Sequence, residues 1–208
     1  MSQLSTRPEP RRTIRPYAVV LIVVTAAIIG ILASRSVLSS APSIADVVHG
    51  DNGHKSDATT ANGGALPDRA KVFDDRYPGV ANLDPKLRKA LRKAAKDAAD
   101  DGVEFYVNSG WRSPAYQERL LREAVSKYGS QEEASRWVAT PDKSSHVSGH
   151  AVDIGHADAK AWLSEHGARY GLCQIYRNEP WHYELRPRAV ENGCPRMYAD
   201  PTRDPRMR

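Results

Sequence analysis

Cysteine, strong net charge and long apolar runs are all scarce in this chain, and each scarcity removes a class of function. Only two cysteines stand in 208 residues, Cys173 and Cys194, and neither belongs to a C-x-x-C unit, so a thiolate-held metal is not expected. The formal net charge is +5, and four arginines against one glutamate in the first sixteen residues supply three of those charges. The remainder, near +2, gives no footprint for a nucleic acid. No H-E-x-x-H pair occurs, which excludes the helical two-histidine metal site. The one long uncharged run is Tyr17 to Ala33, and at 208 residues the chain has room for one ordinary domain plus an appendage.

The appendage is the N-terminus. Residues 1–16 carry Arg7, Arg11, Arg12 and Arg15, and the seventeen residues 17–33 that follow hold Thr25 as their only polar side chain besides the Tyr17 hydroxyl. That length is at the lower edge for a spanning helix, and arginines before it stay in the cytoplasm, so the rest of the chain is expected outside as a single-pass membrane protein. Secretion after signal cleavage is the alternative: Ser39, Ser40 and Ala41 are small enough for a cleavage site, but Pro42 would follow the cut. A buried soluble helix fits the basic flank and all-round apolar character poorly. Export would favour joining Cys173 to Cys194, the other reading being two unlinked buried thiols.

Residues 34–70 are rich in Ser, Ala, Asp, Gly and Asn without sustained periodicity, which reads as a flexible stalk. A domain is expected over 71–186. Asp84-Pro85 is a helix start, followed by an apolar stripe of Leu87, Leu91, Ala94, Ala95 and Ala98 with lysines and arginines on the other faces. Val103 to Val107 reads as a strand, Ser113-Pro114 as the start of a helix to about Tyr128, and Ser130 to Glu133 as a capping box opening a helix that carries Trp137. After Gly149 the period becomes two, so Val152 and Ile154 face a core and Asp153 the other side. A helix is expected over 157–166, then strands at 173–176 and after Pro180. The Arg- and Pro-rich tail, 187–208, is expected to be loosely ordered and pinned once by Cys194.

Seven histidines alone would not justify a metal. The signal is a combination: His146 and Asp153 in one segment, Glu179 three residues before His182 in another. Two imidazoles and a carboxylate can hold zinc with a fourth position open, and a spare carboxylate can move protons, which is the inventory of a hydrolytic metal centre.

The motifs also carry a resemblance. Ser144, His146, Gly149, Ala151 and Asp153 match S-x-H-x-x-G-x-A-x-D, Glu179 to His182 match E-P-W-H, and Ser109 to Ser113 with Gln117 match S-G-[YW]-R-S-x-x-x-Q. In this order, over roughly residues 80 to 186, they resemble the VanY-type D-alanyl-D-alanine carboxypeptidases, a family of zinc metallopeptidases. The connection between Asp153 and Glu179 lacks the longer hairpin common there. The resemblance implies an α+β fold, a small antiparallel sheet flanked by helices of the hedgehog/DD-peptidase-like type. It implies Zn2+ held by His146, Asp153 and His182, Glu179 as the proton carrier, Arg112 stabilising the oxyanion, and Ser144 and Gln117 bonding the substrate. The expected protein is a monomer that removes the terminal D-alanine from peptidoglycan stem peptides. An endopeptidase cutting inside the peptide and a non-catalytic wall-binding module are the alternatives.

Overall fold

The computed structural model describes residues 61–207. The basic segment 1–16, the apolar segment 17–33 and the stalk up to residue 60 lie outside the described residues, and among those described no helix is long and apolar enough to cross a membrane.

After a single turn, α1 (Pro78–Ala81), the first long helix is α2 (Pro85–Asp100). The Asp84 carboxylate accepts the backbone N–H groups of Lys86 and Leu87, and Pro85 occupies a first-turn position whose N–H would have no helical partner. Leu87, Leu91, Ala94, Ala95 and Ala98 are buried along one face, as the spacing predicts. Complete burial of Leu87 and Leu91 contributes about 2 kcal/mol each. The stripe packs with Val107, Val152, Ile154, Leu172 and Tyr183, all from one sheet.

That sheet is antiparallel and has four short strands in the order β1-β2-β4-β3: β1 Val107–Ser109, β2 Ala151–Ile154, β3 Leu172–Gln174 and β4 His182–Leu185. Between β1 and β2 lie α3 (Pro114–Tyr128), capped by the Ser113 hydroxyl, and α4 (Gln131–Ala134), capped by Ser130. Helix α5 (Ala157–His166) joins β2 to β3. The architecture is the expected α+β one. In the central pair Val152 faces Tyr183 and Asp153 faces His182, so the alternation puts apolar residues against α2 and polar ones on the opposite side.

Several details differ from expectation. The first strand begins at Val107, not Val103, because pairing requires a partner and β2 reaches only as far as Ile154; Tyr106 bridges Lys71, and its carbonyl accepts the Gly155 N–H at 2.9 Å. The third strand stops at Gln174, and Tyr176 bridges Tyr198 instead. Helix α4 is one turn long, so Trp137 lies beyond it, its ring stacked on Tyr128 at 5.9 Å. The fold also starts before residue 71, since the Ser113 N–H donates to the Gly63 carbonyl at 2.8 Å and Ala70 is buried.

The largest correction concerns residues 187–207, which fold back onto the domain. They form α6 (Ala189–Asn192) and two 3-10 turns, Pro201–Arg203 and Pro205–Met207. Cys194 is disulfide-bonded to Cys173 on β3, and Tyr198 and Met207 pack against Cys173, Ile175 and Tyr176. Asp200 and Asp204 are buried. The segment builds no core of its own and borrows one, which composition does not reveal.

Candidate metal centre

Three backbone devices bring the motifs together. Gly110 lets the 109–113 turn approach α1: a Cβ there would lie 2.0 Å from the Gly79 carbonyl, and Trp111 N–H donates to that same carbonyl. Gly149, at φ +74°, turns the chain into β2 while its carbonyl accepts the Asp84 N–H at 2.9 Å, tying the turn to the cap of α2. A third link, Arg112 N–H to the His146 carbonyl, joins the two motif loops directly. Downstream, the His182 N–H donates to the Glu179 carbonyl, folding E-P-W-H into a turn that sets the Glu179 carboxylate beside the His182 ring.

His146 Nε2, His182 Nδ1 and Asp153 Oδ1 form a triangle with sides of 3.2, 3.3 and 3.4 Å. A tetrahedral ion with bonds of about 2.0–2.1 Å sets its ligands about 3.3–3.4 Å apart, so the triangle fits zinc. The outer nitrogens explain why these three atoms turn inward. His146 Nδ1 lies 2.8 Å from the Gly110 carbonyl, which can only accept, so in the neutral ring the proton sits there and the Nε2 lone pair faces inward. His182 Nε2 lies 3.2 Å from Glu184 Oε1, which leaves Nδ1 inward by the same logic. Two imidazole lone pairs and a carboxylate thus converge in a buried site, an arrangement that calls for a cation.

The charges agree. Burial would raise Asp153, but His146, His182 and Arg112 hold its carboxyl well below the usual range. Burial, helped by the Arg112 charge, lowers His146. For His182 burial pulls down, while the hydrogen bonds to Asp153 and Glu184 outweigh it and hold the imidazolium up to about 9. Glu179 is pushed up to about 7, chiefly by burial. Its Oε1 is buried without a hydrogen-bond partner, and its Oε2 is 3.7 Å from His182 Nδ1.

Arg112 is no surface ion pair. It donates from Nη2 to Asp153 Oδ2 at 3.0 Å, from Nε to Ser109 at 2.7 Å and from Nη1 to Gln117 Oε1 at 3.1 Å. Three of its five N–H groups are engaged and two remain. Gln117, expected at the substrate, lines the cavity; its side chain is buried, accepts from Arg112 and donates its amide N–H to the Ala139 carbonyl, so it also orients Arg112. Ser144 lines the cavity, its hydroxyl accepting the Val147 N–H at 3.4 Å. His150 is exposed and bonds Ser148, apart from the metal-ligand triangle. The residue that motif reading missed is Glu184. It is 1% exposed and stands behind His182; its signal was the two-residue strand spacing from His182, which puts both on one face. The cavity over these groups holds about 370 Å³, with Trp137 and Trp181 among its walls.

Comparison with known proteins follows the same lines. Residues 80–188 match the VanY family model, described as D-alanyl-D-alanine carboxypeptidase. A D-alanyl-D-alanine carboxypeptidase from Enterococcus faecalis is 32% identical over 143 residues, covering 57% of this chain and 53% of the relative. The chain thus spans about half the length of that curated relative. Among solved structures, VanYB in complex with D-alanine-D-alanine is 29% identical, with 53% of this chain and 74% of the other covered at a TM-score of 0.49. A mutant of the vancomycin-resistance D,D-pentapeptidase VanY in complex with Zn(II) is 30% identical, with 50% and 72% covered at 0.47.

Proposed function

Because the chain belongs to the VanY family of D-alanyl-D-alanine carboxypeptidases, we propose that it is a zinc peptidase that removes the terminal D-alanine from peptidoglycan stem peptides. The observation that carries the reading is the inward-facing triangle of His146, Asp153 and His182 beside a buried, partnerless carboxylate oxygen of Glu179. His146, Asp153 and His182 would hold the zinc, which when bound would supply Lewis acidity to a water and to the scissile carbonyl.

Glu179 carries the protons. Its carboxylate takes one from the attacking water, and its raised affinity for that proton, with a pKa of about 7, leaves it able to pass the proton to the leaving amine. Arg112 offers its two unengaged N–H groups to the oxygen on which negative charge develops, and Gln117 and Ser109 keep the guanidinium from turning away. Trp137 and Trp181 narrow access for bulk water to the cavity.

The domain works outside the cytoplasmic membrane, tethered through residues 17–33. The arginine-rich flank supports that orientation, and the Cys173–Cys194 bond suits an oxidising compartment.

The test is zinc content together with D-alanine release from a pentapeptide ending in D-Ala-D-Ala, with Glu179→Ala and His182→Ala as controls. Free D-alanine that disappears in both variants is the expected result. Internal cleavage products would make the chain an endopeptidase, and stoichiometric zinc without cleavage would make it a binding module.

A further inference from the structure

Residues 80–188 match the family model, and the C-terminal segment 189–207 lies beyond the match. Yet this segment reaches His182 along two lines, both starting from one ion pair. Arg206 spans the Glu184 carboxylate, with Nη1 2.7 Å from Oε2 and Nη2 3.3 Å from Oε1, and Glu184 Oε1 in turn accepts from His182 Nε2. Asp204, fully buried, pairs with Arg206 and accepts the Tyr176 hydroxyl at 3.0 Å. The Tyr176 ring lies over His182 with centroids 5.2 Å apart and planes tilted by 34°. The edge and the face of one imidazole are therefore both fixed from the Asp204–Arg206 pair.

Glu184 has other partners, so the role of Arg206 must be separated from theirs. Arg186 lies 2.6 Å from Oε2, and the Ser145 hydroxyl donates to Oε1 at 3.1 Å. Each of these bonds holds one oxygen from a separate side chain, whereas Arg206 reaches both from a single rigid group. A guanidinium fork across both oxygens fixes its plane, and with it the direction in which Oε1 meets His182. The segment is held in place by the Cys173–Cys194 disulfide and by the Tyr198 N–H donating to the Ile175 carbonyl at 2.9 Å.

We propose that Arg206 is a positioning residue of the metal centre: stapled on by the disulfide, the C-terminal segment locks Glu184 against His182, so that His182 presents Nδ1 to the zinc. The inference rests on the zinc reading above and adds to it a requirement from outside the matched family region. Outer-shell partners of this kind are worth about 10- to 100-fold in metal affinity, and sharing the carboxylate with Arg186 and Ser145 sets the expectation at the lower end.

The test uses the full chain. Zinc affinity is measured by competition with a chromogenic chelator, and the visible spectrum of the cobalt-substituted protein reports ligand geometry. Arg206→Gln should weaken zinc about tenfold and move the cobalt bands. Arg206→Lys keeps the charge and the stem but not the fork, so it should weaken zinc less and move the bands in the same direction. A stabilising role alone would lower the melting temperature and leave the cobalt spectrum of the folded protein unchanged. Wild-type zinc affinity and spectrum in Arg206→Gln, or in Arg206→Lys should the glutamine variant not fold, overturn the inference while the zinc reading stands. A wild-type chain that takes up no zinc overturns both.

Discussion

Replacing Glu179 by glutamine separates what this residue does for chemistry from what it costs the fold. The carboxyl is almost wholly buried, its Oε1 has no hydrogen-bond partner, and burial raises it from 4.5 to about 7 in the metal-free protein. The sign follows from proton counts. Between about pH 4.5 and 7 the unfolded chain has lost this proton while the folded one keeps it, so stability falls as pH rises through that window. At about 1.36 kcal/mol for each tenfold change in acidity, the full penalty reached near pH 8 is about 3 kcal/mol. Glutamine has nearly the same shape and never ionises. Urea unfolding of the chelator-treated protein should therefore show Glu179→Gln and wild type equally stable at pH 4.5, with the variant ahead by up to about 3 kcal/mol at pH 8. Restoring zinc should shrink that gain, because a neighbouring positive charge favours the ionised glutamate. Hydrolysis should meanwhile fall by about 10²- to 10⁴-fold, since the amide cannot carry a proton. Parallel stability curves for the two proteins across this pH range would refute the argument, as would a variant less stable than wild type at pH 8.

Three further outcomes follow from the same geometry. Arg112→Ala removes the partner of Asp153 Oδ2 and the donors proposed for the oxyanion, so kcat/KM should drop by about 10²- to 10³-fold, and unfolding of the metal-free protein should reveal a loss of about 3 kcal/mol from the carboxylate deprived of that partner. His182 is held as imidazolium up to about 9, and zinc must displace that proton; zinc affinity should climb with pH until about 9, with proton release visible by calorimetry in buffers of different ionisation enthalpy, and pH-independent uptake would contradict it. Cys194→Ser opens a bridge between residues 21 apart in sequence and should cost about 3 kcal/mol, read as a lower melting temperature that reductant reproduces in the wild type.

What the sequence made legible, and what it hid, divides along a physical line. Elements specified by near neighbours are where expected: α2 with its Asp84-Pro85 start and apolar stripe, α3 with its Ser113 cap, and β2 with its alternation of Val152, Asp153 and Ile154. Elements specified by distant partners are displaced. The run Val103 to Val107 is mostly β-branched and aromatic, yet pairs with β2 only from Val107, because the length of β2 sets the length of the ladder. Gln117 shows the same limit inside the site. Its place in the motif is visible from spacing, but its bonds to Arg112 and Ala139 become visible only once α3 is set between the 109–113 turn and the loop that carries Ala139.

The C-terminal segment is the sharpest case, and it bears on how the centre works. Arginines and prolines gave it the look of a tail, since no periodic apolar face runs through it. Folded back, the segment pairs its charges: Arg206 takes the buried acids Glu184 and Asp204, and the segment's own buried Asp200 lies 3.6 Å from Arg136 of the domain. Burying Glu184 unpaired behind a metal ligand would be costly; hydrogen bonds from His182 and Arg206 outweigh that burial and keep its carboxyl well below the usual range. Glu184 therefore stays an anion at neutral pH and can only accept from His182 Nε2, so that once His182 gives up its second proton the remaining one stays on Nε2 and Nδ1 turns its lone pair toward His146 and Asp153. The metal-facing geometry of the two motifs thus depends on charges supplied from beyond them.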